Sequence, residues 1–341
     1  MFVNRELKLK WIYLWLISLY LLLIIMITVG GLTRLTDSGL SITSWELFKG
    51  ILPPLNDNQW NDYFDKYKLI PEFIYLNSDI SINEFKIIFY WEFFHRLLGR
   101  FIGLVSLIPL VFFFYKYRNN NISLNKYLSI FILVSIQGFV GWYMVESGLS
   151  DRLDVSHFRL ALHLLIAFII LSLIFWFILE LTTTSSFNSR LPSKLVYFLF
   201  LLLFVQVVFG AFLAGLDGGL IYNTWPDMNG LLFPDDINVL NYNFNELLNT
   251  PSFIQFIHRK LAYLLILVII YFNYIYYKKK LPKKPIIFFN LLIIIQIILG
   301  IITLLSGAKI IYASLHQIGS IFVISSFLLI VFKNRNLTYS F

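Results

Sequence analysis

Five histidines stand in this chain of 341 residues, and four of them interrupt otherwise apolar stretches. His95 follows Glu92-Phe93-Phe94 and precedes Arg96, while His258 follows Gln255-Phe256-Ile257 and precedes Arg259. His163 closes Ala161-Leu162-His163, and His316 closes Ser314-Leu315-His316. The four thus form two sets, each with the same two contexts in the same order. An imidazole in hydrocarbon surroundings is costly unless it has a partner or a task. Two imidazoles facing each other across a helix bundle suit the axial ligation of a haem iron. The blander reading makes each histidine the partner of an interhelical hydrogen bond. Recurrence at two equivalent sets of positions favours ligation, with His95 and His163 as one pair and His258 and His316 as the other. His157 has no counterpart and fits an ordinary interfacial role in a short loop.

Arginines stand close to these histidines. Arg96 and Arg259 each follow one directly, and Arg159 lies four residues before His163, on the same helical face. A guanidinium fork matches a carboxylate such as a haem propionate. The competing use is snorkelling towards lipid phosphate. Glu92 lies three residues before His95, whereas the neutral amide Gln255 occupies the equivalent place before His258. Electron transfer alone gains nothing obvious from such a carboxylate. Proton-coupled oxidation of a bound substrate gains a base or relay. The structural alternative is an ion pair between Glu92 and Arg96, one turn apart. The asymmetry implies a substrate site in the first half and a cofactor site in the second.

Helices must position these groups. Eight apolar stretches, near 11–31, 86–115, 126–146, 158–180, 194–214, 252–277, 285–306 and 310–332, are long enough to cross a bilayer core of ~30 Å. The hydrophobic share is 58% against 13% charged, and the mean hydropathy is +0.75, so water is a poor solvent for most of this surface. With no cysteine in the chain, disulfides, zinc–thiolate sites, iron–sulfur clusters and thiolate nucleophiles are excluded. The net charge of +8 does not point to nucleic acid. Lys and Arg gather in the N-terminus, the 116–126, 181–194 and 278–284 loops and the C-terminus, where Glu6 and Glu180 are the acids. Both termini are therefore expected in the cytoplasm, with the basic loops near anionic membrane lipids. The short basic N-terminus ahead of the first span favours a bacterial inner membrane over an imported protein.

The two halves repeat. Gly30/Gly210, Asp37/Asp217, Gly39/Gly219, Leu40/Leu220 and Trp45/Trp225 coincide at a fixed offset, and Gln137 with Gly141 parallels Gln296 with Gly300. The expected architecture is an all-α integral membrane protein whose eight transmembrane helices form two tandem pseudo-symmetric four-helix bundles. The first bundle is residues 1–183 with a long outer loop at 32–85, and the second is 184–341 with an outer loop at 215–251. Both loops are expected to be ordered caps. Glycines at 30, 31, 138, 141, 210 and 300 let helices approach closely or leave room for a flat macrocycle.

These motifs resemble the haem A synthase family over nearly the whole chain. They are Glu92-Phe-Phe-His95-Arg96-Leu-Leu-Gly99-Arg100, the run from Gly30-Gly31-Leu-Thr33-Arg34 to Gly39-Leu-Ser, Trp225-Pro226 after Gly-Leu-Ile-Tyr, and Gln255-Phe-Ile-His258-Arg259. The resemblance implies oxidation of the C8 methyl of haem O to a formyl group by two hydroxylations and loss of water. The product is haem A for cytochrome oxidase. It implies haem b held by His258 and His316, substrate haem at His95 and His163, and a catalytic requirement for Glu92. Some bacterial members carry a cysteine pair in an outer loop, so this chain resembles the cysteine-free α-proteobacterial and mitochondrial branch. The implied partners are a haem O synthase upstream and an unidentified electron acceptor, and self-association into a homo-oligomer is open. Two other classes use similar histidines: a b-type cytochrome electron carrier or reductase, and a haem transporter or chaperone.

Overall fold

The computed structural model describes residues 2–45, 49–117, 124–150, 153–237 and 242–335, and among them the secondary structure is helical apart from one isolated bridge between Met228 and Leu231. Eleven α-helices follow in order: α1 (Phe2–Leu35), α2 (Asp57–Tyr67), α3 (Pro71–Leu76), α4 (Ile82–Tyr117), α5 (Asn125–Leu149), α6 (His157–Thr182), α7 (Ser193–Gly215), α8 (Phe244–Leu248), α9 (Pro251–Lys278), α10 (Lys283–Leu305) and α11 (Ile310–Lys333). Among the described residues eight of these, α1, α4, α5, α6, α7, α9, α10 and α11, are long and apolar enough to cross a membrane. The shortest, of 23 residues, reaches about 35 Å at 1.5 Å per residue, more than the hydrocarbon core requires. All eight expected spans are present. Of the basic loops, residues 118–123 and those after 335 lie outside the described residues.

The chain forms two compact units, one of residues 21–170 and one of residues 1–20 with 171–341. In the first unit α4 packs on α5. The first long loop is folded into a cap: α2, opened by Asn56 accepting from the Gln59 amide, and α3 lay Trp60, Tyr67 and Ile70 against Phe85, Phe89 and Phe93 of α4. This aromatic layer is what fixes the loop over the helix ends. In the second unit α7 packs on α9 and α11, and α10 packs on α11. Its core centres on Leu199, Phe272, Tyr276, Phe289 and Phe327, all fully buried.

The turns that end α1 and α7 match in detail. Asp37 (φ 48°) and Asp217 (φ 50°) both adopt the left-handed conformation, which Asp tolerates better than most residues. A reversal there brings residues 38–44 back over α4, and residues 218–227 over α9. That return places backbone groups beside Glu92 and Gln255.

Candidate functional site

The rings of His95, His163, His258 and His316 each lie against a glycine on the preceding span. A Cβ at Gly30 would stand 3.3 Å from His95 Cε1, and one at Gly210 would stand 3.2 Å from His258 Cε1. The other pair is tighter: a Cβ at Gly141 would meet His163 Cε1 at 2.8 Å, and one at Gly300 would meet His316 Cε1 at 2.9 Å. These last distances are below any real contact, so no side chain fits while the rings keep their places. Gly138 has no such neighbour. Of the glycines read as macrocycle space, these four back the rings.

The rings of His95 and His163 face each other with centroids 6.5 Å apart and planes at 66°. An imidazole nitrogen binds a first-row metal at about 2 Å and lies about 1 Å from its own ring centre, so two axial rings stand about 6 Å apart. The pair fits a haem iron between them. In both halves the fourth-span histidine keeps a buried Nδ1 with no hydrogen-bond partner, at His163 and at His316. That nitrogen lacks the partner that the hydrogen-bonding reading would give it. His157 is buried, and its ring lies 4.0 Å from that of the adjacent Phe158 at a tilt of 39°.

Glutamine amides hold the histidine-bearing helices. Gln137 Nε2 donates to the His163 carbonyl at 3.0 Å, Gln296 Nε2 to the His316 carbonyl at 2.8 Å, and Gln206 Nε2 to the His258 carbonyl at 3.1 Å. Gln206 Nε2 also lies 3.3 Å from each ring nitrogen of His258.

Glu92 is buried on α4 and accepts four hydrogen bonds. Its Oε2 takes Ser41 Oγ at 2.7 Å and the Ile42 amide at 2.8 Å, and its Oε1 takes Arg96 Nε at 3.0 Å and Nη2 at 2.6 Å. The ion pair with Arg96 that the sequence offered as the structural alternative forms. Arg96 also donates to the carbonyls of Ser44 (3.1 Å) and Ile42 (2.9 Å), which divides its N–H groups between the carboxylate and the returning loop. In the second half Gln255 inverts the polarity: its Nε2 donates to the carbonyls of Gly218 and Ile221, and its Oε1 accepts from Arg259 Nη2 at 3.1 Å. Arg259 spends its remaining terminal N–H groups on the carbonyls of Tyr222, Thr224 and Asp227, leaving a buried Nε without a partner. Arg159 lies over the Tyr143 ring at 4.8 Å, with Nη2 3.4 Å from its hydroxyl.

Residues 13–328 match the COX15-CtaA family, described as cytochrome oxidase assembly protein. The chain belongs to that family. Similar proteins include the haem A synthase of Pelagibacter ubique, 55% identical over 336 residues that cover 98% of this chain and all of the relative. The haem A synthase of Rickettsia bellii is 42% identical, covering 91% of this chain and 94% of its own, and that of Flavobacterium johnsoniae is 38% identical, covering 93% and 96%.

In this COX15-CtaA member the sequence pointed to the proximity of His95 and His163 and to the contact between Glu92 and Arg96, but not to the groups that support them. Ser41 and the Ile42 amide were unforeseen partners of Glu92, because they lie some fifty residues away and meet it only through the turn at Asp37. Gln206 was also missed. The available signal was a glutamine four residues before a ring-backing glycine, seen at Gln137, Gln206 and Gln296.

Proposed function

We propose that this chain is a haem A synthase that oxidises the C8 methyl of haem O to a formyl group. The observation that carries the reading is the pair of histidines backed by glycines in each half, with an acid on the histidine helix in the first half alone. In this reading His258 and His316 would hold a resident haem b, and His95 and His163 would hold substrate haem O. Haem b, when bound, supplies one-electron redox chemistry.

The methyl carbon is hydroxylated twice with oxygen taken from water, and the geminal diol loses one water to leave the aldehyde, so that four protons are released and four electrons pass to an external acceptor. Glu92 lies on the His95 face of α4 and takes the proton released as the methyl carbon is oxidised, with Ser41 Oγ as its contact to the loop. Arg96 fixes the direction of that carboxylate and clamps the loop, so its role is to position Glu92 more than to bind a propionate. Arg159 and the open Nε–H of Arg259 remain the groups offered to propionates. The aromatic cap of α2 and α3 excludes water from the first-half site. The basic loops put both termini in the cytoplasm of a bacterial inner membrane, with the histidines towards the opposite face.

Expression with haem O synthase in a host that lacks haem A, followed by chromatography of the extracted haems, tests the reading. Hydroxylated and formylated haem are expected. Recovery of haem O alone from inserted, haem b-loaded protein would overturn it. Two permanently bound b haems would make the chain an electron carrier.

A further inference from the structure

Three of the four ring-backing glycines are preceded, one helical turn earlier, by a glutamine whose amide reaches across to the backbone of the histidine concerned. Gln137 precedes Gly141 and binds the His163 carbonyl, Gln206 precedes Gly210 and binds the His258 carbonyl, and Gln296 precedes Gly300 and binds the His316 carbonyl. The fourth position, before Gly30, is Met26. A thioether donates nothing, so the His95 carbonyl has no such strap. Met26 instead sets its methyl over Gly99, where a Cβ would stand 3.4 Å away in ordinary van der Waals contact. Between α1 and α4, Thr33 Oγ1 lies a long 3.4 Å from the Trp91 carbonyl, and that hydroxyl already donates at 2.9 Å to Val29 in its own helix.

A hydrogen bond between membrane helices resists their separation because the freed groups find no water to replace it. We propose that Met26 leaves His95 as the releasable ligand, through which a macrocycle enters and leaves the first half, while Gln206 fixes His258 and keeps the haem of the second half resident. This rests on the assignment of substrate to the first half and cofactor to the second. The difference coincides with the one between Glu92 and Gln255: the histidine one turn from the acid is also the histidine without the strap. An enzyme whose substrate and cofactor are both haems needs such a distinction, because ligation chemistry alone gives the two sites equal hold. Met26 and Gln206 act through the histidine helices and are positioning residues.

The test uses the full chain co-expressed with haem O synthase, purified in detergent and challenged with excess apomyoglobin. Transfer of haem O (with its oxidised products) and of haem b is followed separately by chromatography. Wild type is expected to lose the haem O-derived pigment faster than haem b. Met26→Gln, close to isosteric, is expected to slow that transfer by roughly threefold to tenfold, the worth of one interhelical hydrogen bond in a membrane, with haem b transfer unchanged. Gln206→Met is expected to speed haem b transfer by a similar factor, and Met26→Leu to behave as wild type. Unchanged transfer of the haem O-derived pigment in Met26→Gln overturns the proposal, as does unchanged haem b transfer in Gln206→Met, which decides the matter should Met26→Gln fail to insert. A wild-type protein that never acquires haem O overturns the functional assignment itself, a different result from equal rates in wild type and variant.

Discussion

Glu92 and Arg96 lie one turn apart on α4, and a single carboxylate oxygen of Glu92 accepts both Nε and Nη2 of the guanidinium at 3.0 and 2.6 Å. The other oxygen accepts Ser41 Oγ and the Ile42 amide, so donors surround the whole carboxylate. An amide in its place turns an NH2 towards N–H groups whichever way it is oriented. Glu92→Gln is therefore expected to lose the proton acceptor and to leave a buried donor unpaired, at a cost of about 1–3 kcal/mol. Conversion of haem O should fall by at least ~10²-fold while haem b content stays at the wild-type level. Haem analysis of the same preparation checks both. Loss of haem b along with activity would show a folding role only.

Replacing glycine in a helix by alanine ordinarily stabilises it by about 0.5–1 kcal/mol. At Gly300 the new Cβ would stand 2.9 Å from His316 Cε1, and at Gly141 it would stand 2.8 Å from His163 Cε1. Gly300→Ala should thus yield inserted protein that lacks haem b, and Gly141→Ala should keep haem b but fail to retain haem O. Absorption spectra and extracted haems read both outcomes. Normal haem content in both variants would remove the role given to these ring-backing positions.

Gln255 donates to two loop carbonyls where Glu92 accepts from a loop hydroxyl and amide. Gln255→Glu would place a carboxylate against carbonyl oxygens and remove the donors they use. The segment 218–227, which Arg259 also holds, should become sensitive to limited proteolysis. Arg259→Lys should loosen it as well, because one ammonium cannot span the carbonyls of Tyr222, Thr224 and Asp227. Unaltered cleavage of both variants would show that other contacts fix this loop.

Glu72 in the first cap is buried, and burial pushes its carboxyl up to about 8 from the ordinary 4.5, opposed by the hydrogen bond donated from the Tyr67 hydroxyl at 2.7 Å. A folded value above the unfolded one means that the native cap holds the proton more tightly. Its contribution is complete below pH 4.5, declines as pH rises from 4.5 to about 8, and is flat above. Proteolysis within residues 49–81 should accordingly be faster at pH 9 than at pH 5, and Glu72→Gln should level the two rates. A wild-type cap equally resistant at both pH values would refute the coupling.

Hydrophobic run length sufficed for the eight spans, since a bilayer sets one length for all of them. Their ends moved by a few residues: α1 runs on to Leu35 and α4 begins at Ile82, because the loops beyond them fold back and extend the hydrogen-bonded turns. The helices inside the cap were expected only as ordered structure. Asn56 capping a polar stretch with Trp60 and Tyr67 inward is a helix signal, but a weak one beside strongly apolar neighbours. The closeness of His95 and His163 was legible because the same two histidine contexts recur along the sequence in the same order. The commitment of Arg96 and Arg259 to loop carbonyls was not, since backbone acceptors leave no mark in side-chain identity.

The most direct measurement of the central claim is the haem content per chain after His258 and His316 are both replaced by alanine, with wild type purified alongside. Wild type should carry one haem b per chain and a smaller amount of haem O or haem A, and the double variant should lose the haem b. A double variant that inserts normally and keeps its full haem b would contradict the assignment of the second-half pair as the cofactor site.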